Sequence, residues 1–131
     1  MDFSEYAGYF PPEIAGYFFA QWDRQQIWAL NIGVQTDELE QFTWHLQYPF
    51  WSTQPPQPLF DLPPAAVLKN PNRYPIHKER IARADLKHPI DVAEFGGRLV
   101  ILDGLHRLAH AMILKKTHIA FRVIPKRYLQ V

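Results

Sequence analysis

Apolar positions in the last third of the chain change period in a way that marks out its elements. His77 to Leu86 predicts a helix, with Ile81 and Asp85 a turn apart. From Pro89 to Phe95 the period falls to two, with Ile90 and Val92 on one side of a predicted strand. Gly96-Gly97 predicts a two-residue hairpin turn and Arg98-Leu99-Val100-Ile101-Leu102 the returning strand. Asp103-Gly104 then turns the chain straight into a helix that runs to about Lys116. Its buried stripe is Leu105, Leu108, Ala109 and Met112, with Arg107, Lys115 and Lys116 off that stripe. His118 to Ile124 alternates again as a last strand, stopped by Pro125.

The earlier part is aromatic-rich and less regular. Pro11-Pro12-Glu13 opens a predicted helix with Ile14, Phe18 and Trp22 at four-residue intervals. Trp28, Leu30 and Ile32 alternate within Gln26 to Ile32, which predicts a strand. Thr36 reads as the N-cap of a helix carrying Leu39, Phe42 and Leu46. Residues 48–75 hold eight of the twelve prolines, so neither a ladder nor a helix is sustained there and a long connection is expected. Trp51, Leu59, Phe60 and Leu62 are too apolar for a free linker and are expected to pin it down as a flap beside a pocket. The expected organisation is one compact α+β domain in three parts: an aromatic-rich helix/strand/helix part (1–47), the proline-rich connection (48–75) and a regular core (76–131).

Composition narrows the chemistry. A chain of 131 residues with a 47% hydrophobic fraction has enough apolar surface for a single core. With no cysteine, disulfides, thiolate metal sites and cysteine nucleophiles are excluded. No apolar run reaches the roughly 20 residues that span a bilayer. The opening Met1-Asp2-Phe3-Ser4-Glu5-Tyr6 lacks the basic and apolar regions of a secretory signal. A cytoplasmic protein without a membrane partner is expected. The net charge of +1 argues against nucleic acid as a partner, and Lys115, Lys116, Arg122, Lys126 and Arg127 read as a solvated basic face.

The chemistry concentrates in Asp103-Gly104-Leu105-His106-Arg107. A strand that passes through glycine into a helix leaves the first amides unpaired at the positive end of the helix dipole, where an anion can rest. His106 and Arg107 add two side chains able to donate to phosphate. Plainer readings stand beside this one. Asp103 is a possible N-cap for the amides of Leu105 or His106. Arg107 can pair with Asp103 or Glu94 at the surface, a contact worth about 0–1 kcal/mol. His106 and His110 lie four apart, a spacing that can hold zinc, but without the glutamate of a His-Glu-x-x-His arrangement. His45, His77, His88 and His118 stand isolated and read as structural or exposed.

Three segments in order, Asp85-Leu86-Lys87-His88-Pro89-Ile90-Asp91-Val92, then Gly97 through Asp103-Gly104-Leu105-His106-Arg107 to Ala109, then Ile119 to Ile124, resemble the ParB/sulfiredoxin superfamily. That superfamily joins a Pro-Ile-x-Val strand to a Gly-x-(His/Arg)-Arg loop that opens a helix, followed by a short hydrophobic strand. The resemblance covers about residues 76–125 and implies a standalone domain like the N-terminal nucleotide-binding domain of ParB. It implies ATP or CTP as ligand with Mg2+, and NTP hydrolysis or phosphoryl transfer as the reaction class. Gly104 would allow close backbone approach, and the amides of Leu105 and His106 would donate to phosphate. His106 and Arg107 would be the basic pair, and Asp103 would hold the metal or orient a hydroxyl. Glu94 or Glu79 would be the upstream carboxylate, and the implied catalytic set is Asp103, His106, Arg107 and Glu94. Leu105 stands where sulfiredoxins carry their reactive cysteine, so sulfinic acid reduction is excluded. Gly-Leu-His-Arg replaces the Gly-Glu-Arg-Arg of partition proteins. Two other functions compete: a non-catalytic module that docks a protein partner through its aromatic N-terminal region, with Trp22, Trp28, Trp44 or Trp51 forming an exposed patch, and a metal-dependent nuclease.

Overall fold

The computed structural model describes residues 4–130, so Met1, Asp2, Phe3 and Val131 lie outside the account that follows. Among the described residues, β1 (Gln35–Glu38), β2 (Ile90–Phe95), β3 (Arg98–Asp103) and β4 (His118–Val123) form one mixed sheet in the order β1-β4-β2-β3. The α-helices are α1 (Arg24–Ala29), α2 (Pro64–Lys69), α3 (Pro75–Arg83) and α4 (Leu105–Ile113), joined by short 3-10 segments. The architecture is therefore α+β. No helix is long and apolar enough to cross a membrane among the described residues.

The β2–β3 hairpin follows from Gly96 and Gly97, whose φ values of +57° and +83° suit the left-handed turn that matches strand twist. β2 pairs antiparallel with β3 and parallel with β4, so α4 is the crossover between them. As the central strand β2 is covered on both faces. Ile90 and Val92 pack with Ile101, Leu108, Phe121, Phe42 and Leu46 on the α4 side. Ala93 and Phe95 pack with Val100, Ile124, Phe10, Ile14 and Phe18 on the other. A third cluster of Trp51, Leu62, Val67, Ile81 and Ala109 fastens the proline-rich segment to α3 and α4.

Several expected elements fall differently. Gln26 to Ile32 is not a strand: α1 begins after Asp23, whose carboxylate accepts from the amides of Gln25 and Gln26. That cap outweighs the local alternation, and Ile27 faces the core while Trp28 is 54% exposed. Thr36 caps no helix. It lies in β1 opposite Ala120, and a 3-10 helix starts at Leu39 with Leu39, Phe42 and Leu46 buried on one side. Pro12–Phe18 is likewise 3-10 rather than α, and Trp22 lies beyond it, half-buried. Within the proline-rich connection Pro64 opens the short helix α2, a position where its missing N–H costs nothing. α3 ends at Arg83, leaving Asp85 in a turn that accepts from the Lys87 amide. α4 ends at Ile113, three residues short of Lys116.

Arg122 is the clearest departure from the solvated basic face expected of it. It is buried beside Asp91, its neighbour across the β2–β4 ladder, with Nε donating to Asp91 Oδ1 at 2.7 Å. The other two guanidinium nitrogens donate to the carbonyls of Leu30 (2.8 Å) and Ile27 (2.9 Å) at the end of α1. The Leu30 carbonyl is one that a short helix leaves without a partner of its own, while the Ile27 carbonyl also accepts from the Leu30 amide. His45 is equally buried. Its Nδ1 donates to the Phe42 carbonyl, and its Nε2 accepts from the Ile101 amide at 3.0 Å.

Two stability predictions follow from these buried groups. Asp91→Ala leaves an uncompensated charge on Arg122 and should lower unfolding free energy by about 3–5 kcal/mol in urea titrations. Burial holds the His45 imidazole down at about 4 against an ordinary 6.5, so the unfolded chain binds a proton that the native state refuses. Stability is complete above about pH 6.5 and falls as pH drops toward 4, with His45 contributing on the order of 3 kcal/mol of that loss. Denaturation midpoints measured across this range should fall less steeply in His45→Gln than in the parent, the remaining slope coming from His106 and His77.

Candidate functional site

The site forms where β3 ends and α4 begins. Gly104, at φ +114°, makes the turn between them. A Cβ there would lie 2.7 Å from the Ile90 side chain and 3.1 Å from an Arg107 nitrogen, so both conformation and space demand glycine. No side chain caps the helix, and the first amides of α4 are left for a ligand or water. The N-cap reading of Asp103 is thereby corrected. Its Oδ2 accepts instead from the Trp28 indole N–H at 2.9 Å and from Arg107 at 3.3 Å. Arg107 also donates to the Pro89 carbonyl, so its guanidinium is anchored twice and half-buried rather than turned to bulk water.

A cavity of about 460 Å³ opens against this corner, walled by Asp103, Gly104, His106 and Arg107 on one side and by α3 on the other. From α3 come Glu79, Arg80 and Arg83. Arg83 pairs with Glu79 at 2.7 Å and Arg107 with Asp103, whereas Arg80 has no carboxylate partner among the described residues. Three guanidinium groups thus face two carboxylates, and the excess positive charge sits beside the open amides of α4.

A larger cleft of about 1230 Å³ adjoins the first and shares Arg80, Asp103 and His106 with it. Phe18, Trp22, Phe50, Phe60 and the run Pro55 to Leu59 line it, so the proline-rich segment forms one wall. Trp51 and Leu62 are buried and pair with each other, and Phe60 packs on the N-terminal core, which together hold that wall in place.

Between cavity and cleft, one indole carries two imidazoles. The Trp51 ring stacks on His77 at 4.7 Å and 7° and on His106 at 4.2 Å and 10°. The two imidazoles lie only 12° apart in plane, with His77 Nδ1 and His106 Nε2 separated by 3.0 Å. His77 Nε2 reaches the Ser52 carbonyl at 2.6 Å. Burial is the main force lowering the proton affinity of both rings, and the Arg80 charge adds to it. His106 falls to about 3, with its neighbour His77 also lowering it and Asp103 opposing.

Asp103, Gly104, Leu105, His106 and Arg107 thus stay together at one corner. Glu94 does not join them. It lies opposite Leu99 at the far end of the hairpin, where it accepts from the Gly97 amide and faces Lys126 at 3.8 Å. Four residues of extended strand, about 13 Å, separate that level from Asp103. Glu79 is the carboxylate that lines the cavity. His106 and His110 are not poised around a metal: His110 donates to the Ala84 carbonyl and His106 is engaged by His77. Among the described residues no group of three or more histidine and carboxylate side chains gathers to hold an ion. The tryptophans make no common exposed patch, since Trp51 is buried and Trp22 and Trp44 pack on the core.

His77, Arg80 and Arg83 are the site residues that sequence reasoning passed over, whereas Trp51 was expected to pin the proline-rich segment beside a pocket. The spacing of His77, Arg80 and Arg83 at i, i+3 and i+6 was a signal, because it puts all three on one side of α3. No family model, curated protein or solved structure matches this chain.

Gly104→Ala should cost about 1–3 kcal/mol in thermal or denaturant unfolding, since it forces a non-glycine residue into a positive φ and against Ile90. Gly97→Ala, which has a positive φ but open space, is the control for conformation without contact.

Proposed function

We propose that this chain is a nucleotide-binding domain, with the phosphates of ATP or CTP in the cavity at the start of α4 and the nucleoside in the adjoining cleft. The observation that carries the reading is the unpaired Arg80 guanidinium facing the uncapped amides of α4 across a cavity that also holds Arg83 and Arg107. Backbone amides and a surplus of guanidinium groups suit the spread charge of a polyphosphate. The cleft supplies apolar and aromatic surface against which a base can stack. The order of strand, glycine turn, helix and strand, together with the Asp103-Gly104-Leu105-His106-Arg107 motif, supports placing the chain with the ParB/sulfiredoxin-like domains it resembles.

Asp103 alone does not make a resident magnesium centre, because one of its oxygens is taken by Trp28 and Arg107 and, among the described residues, no group of three or more histidine and carboxylate side chains gathers there. Magnesium belongs to this reading as the counter-ion that arrives with the nucleotide, keeping most of its water ligands.

Isothermal titration should detect ATP or CTP binding, weakened at least about tenfold, or roughly 1.4 kcal/mol, by Arg80→Ala. Arg80 is the cleaner probe because it makes no ion pair or hydrogen bond among the described residues whose loss would disturb the fold, and Arg107→Ala should weaken binding at least as much. Absence of binding by either nucleotide at millimolar concentration refutes the reading.

A further inference from the structure

The hydrogen bonds around His77 determine where every proton of the imidazole pair lies. The Ser52 carbonyl can only accept, so His77 Nε2 carries a proton. A neutral imidazole has one N–H, which leaves His77 Nδ1 as a lone pair. His106 Nε2, 3.0 Å away, is then the donor between the rings, and His106 Nδ1 is left bare. Every fully buried side-chain polar atom among the described residues has a partner, and His106 Nδ1 has none, so that nitrogen is not fully buried. His106 lines both the cationic cavity and the aromatic cleft.

A bare nitrogen cannot donate to a phosphate oxygen, which itself only accepts. The donor role expected of His106 from the sequence therefore does not suit the resting site, and its chemistry is the reverse. It asks for an O–H beside the phosphates.

We propose that His106 Nδ1 accepts the proton of an attacking hydroxyl, and that His77 is the positioning residue that keeps this lone pair turned to the substrate. The inference rests on the nucleotide-binding reading above and names its second substrate as a small alcohol, with water as the smallest case. The hydroxyl oxygen forms a bond to the γ-phosphorus as the bond from that phosphorus to the β–γ bridging oxygen breaks. The bond's electron pair leaves with the nucleoside diphosphate, the hydroxyl proton passes to His106 Nδ1, and the imidazolium gives it to solvent when product departs.

Three features of the site bear on this step. The groups facing His106 are His77 and Arg80 from α3, Asp103 from β3 and the adjacent Arg107 of its own helix. In the empty site burial, His77 and Arg80 keep the lone pair a weak base. A polyphosphate on Arg80 offsets that charge and strengthens the base when the reactant is in place. Trp51 covers one face of both rings, which keeps them in a common plane for the hydrogen bond between them.

The test has two arms. Nitrogen-15 spectra of the histidine rings at neutral pH should show His106 with its proton on Nε2, and a proton on Nδ1 overturns the proposal. Phosphorus-31 spectra should then follow magnesium ATP or CTP incubated with the protein in water, in glycerol solution and in ethanolamine solution. Loss of the γ-phosphoryl group should slow by about 100-fold or more in His106→Asn and His106→Gln, with nucleotide affinity by titration within about threefold of the parent. His77→Phe should move the acid limb of the kcat–pH profile to higher pH, because it removes a neighbour that lowers the proton affinity of His106; a purely structural role would leave that limb in place. Nucleotide binding with turnover indifferent to both His106 variants overturns this proposal alone, as does binding with no turnover in any of the three media. Failure of the unmodified protein to bind nucleotide overturns the earlier reading and this one with it.

Discussion

The buried contact between Arg122 and Asp91 ties the sheet to the layer above it and, through that layer, to the site. Arg122 sits on β4 and Asp91 on β2, directly across a parallel ladder, and the two remaining guanidinium nitrogens hold the end of α1. α1 has six residues, too short to be stable on its own. Its place is set by these hydrogen bonds, by Ile27 in the core and by the Asp23 cap. Because α1 is held there, Trp28 reaches Asp103 and Asp103 in turn orients Arg107. A continuous path of directional contacts thus runs from the centre of the sheet to the phosphate-facing corner. A buried ion pair adds little net stability over apolar packing, but its fixed geometry makes other placements of α1 costly.

The corner at α4 separates two kinds of hydrogen-bonding capacity. Around the cavity, Arg80 and Arg83 of α3 and the amides that open α4 can only donate. At the wall shared with the cleft, His106 offers a lone pair because its one proton is held by His77. Donors suit phosphate oxygens and the lone pair suits a hydroxyl, so the two halves of the corner discriminate between groups of a ligand. The control is remote: a backbone carbonyl at Ser52, in the proline-rich segment, decides which nitrogen of His106 is protonated.

How much could be read in advance varies along the chain. From Ile90 to Val123 the pattern is local and consistent: alternation, a Gly-Gly turn, alternation, a glycine-opened amphipathic helix and alternation. The hairpin, crossover helix and final strand all form in the order that pattern gives, with the helix ending at Ile113 rather than near Lys116. The aromatic N-terminal part misleads because alternation at Trp28, Leu30 and Ile32 is as compatible with a short capped helix as with a strand. The solvated reading of Arg122 failed for a related reason. A single arginine within an alternating strand does not reveal whether an aspartate two strands earlier in the chain faces it. His77 was passed over as isolated, since its partners Ser52 and His106 lie 25 and 29 residues away.

The sequence by itself determined the α+β pattern of the C-terminal half, the passage from strand through Asp103-Gly104 into a helix, and the gathering of Asp103, His106 and Arg107 in one turn, because each depends on residues within a few positions of one another. Tertiary structure alone decided that Arg122 is buried, that Glu94 stands away from the site while Glu79 and Arg80 approach it, and that His106 presents a lone pair rather than a proton. Those outcomes depend on pairing and packing between segments far apart in the chain, where burial and a single carbonyl oxygen override what the local residues would do in water.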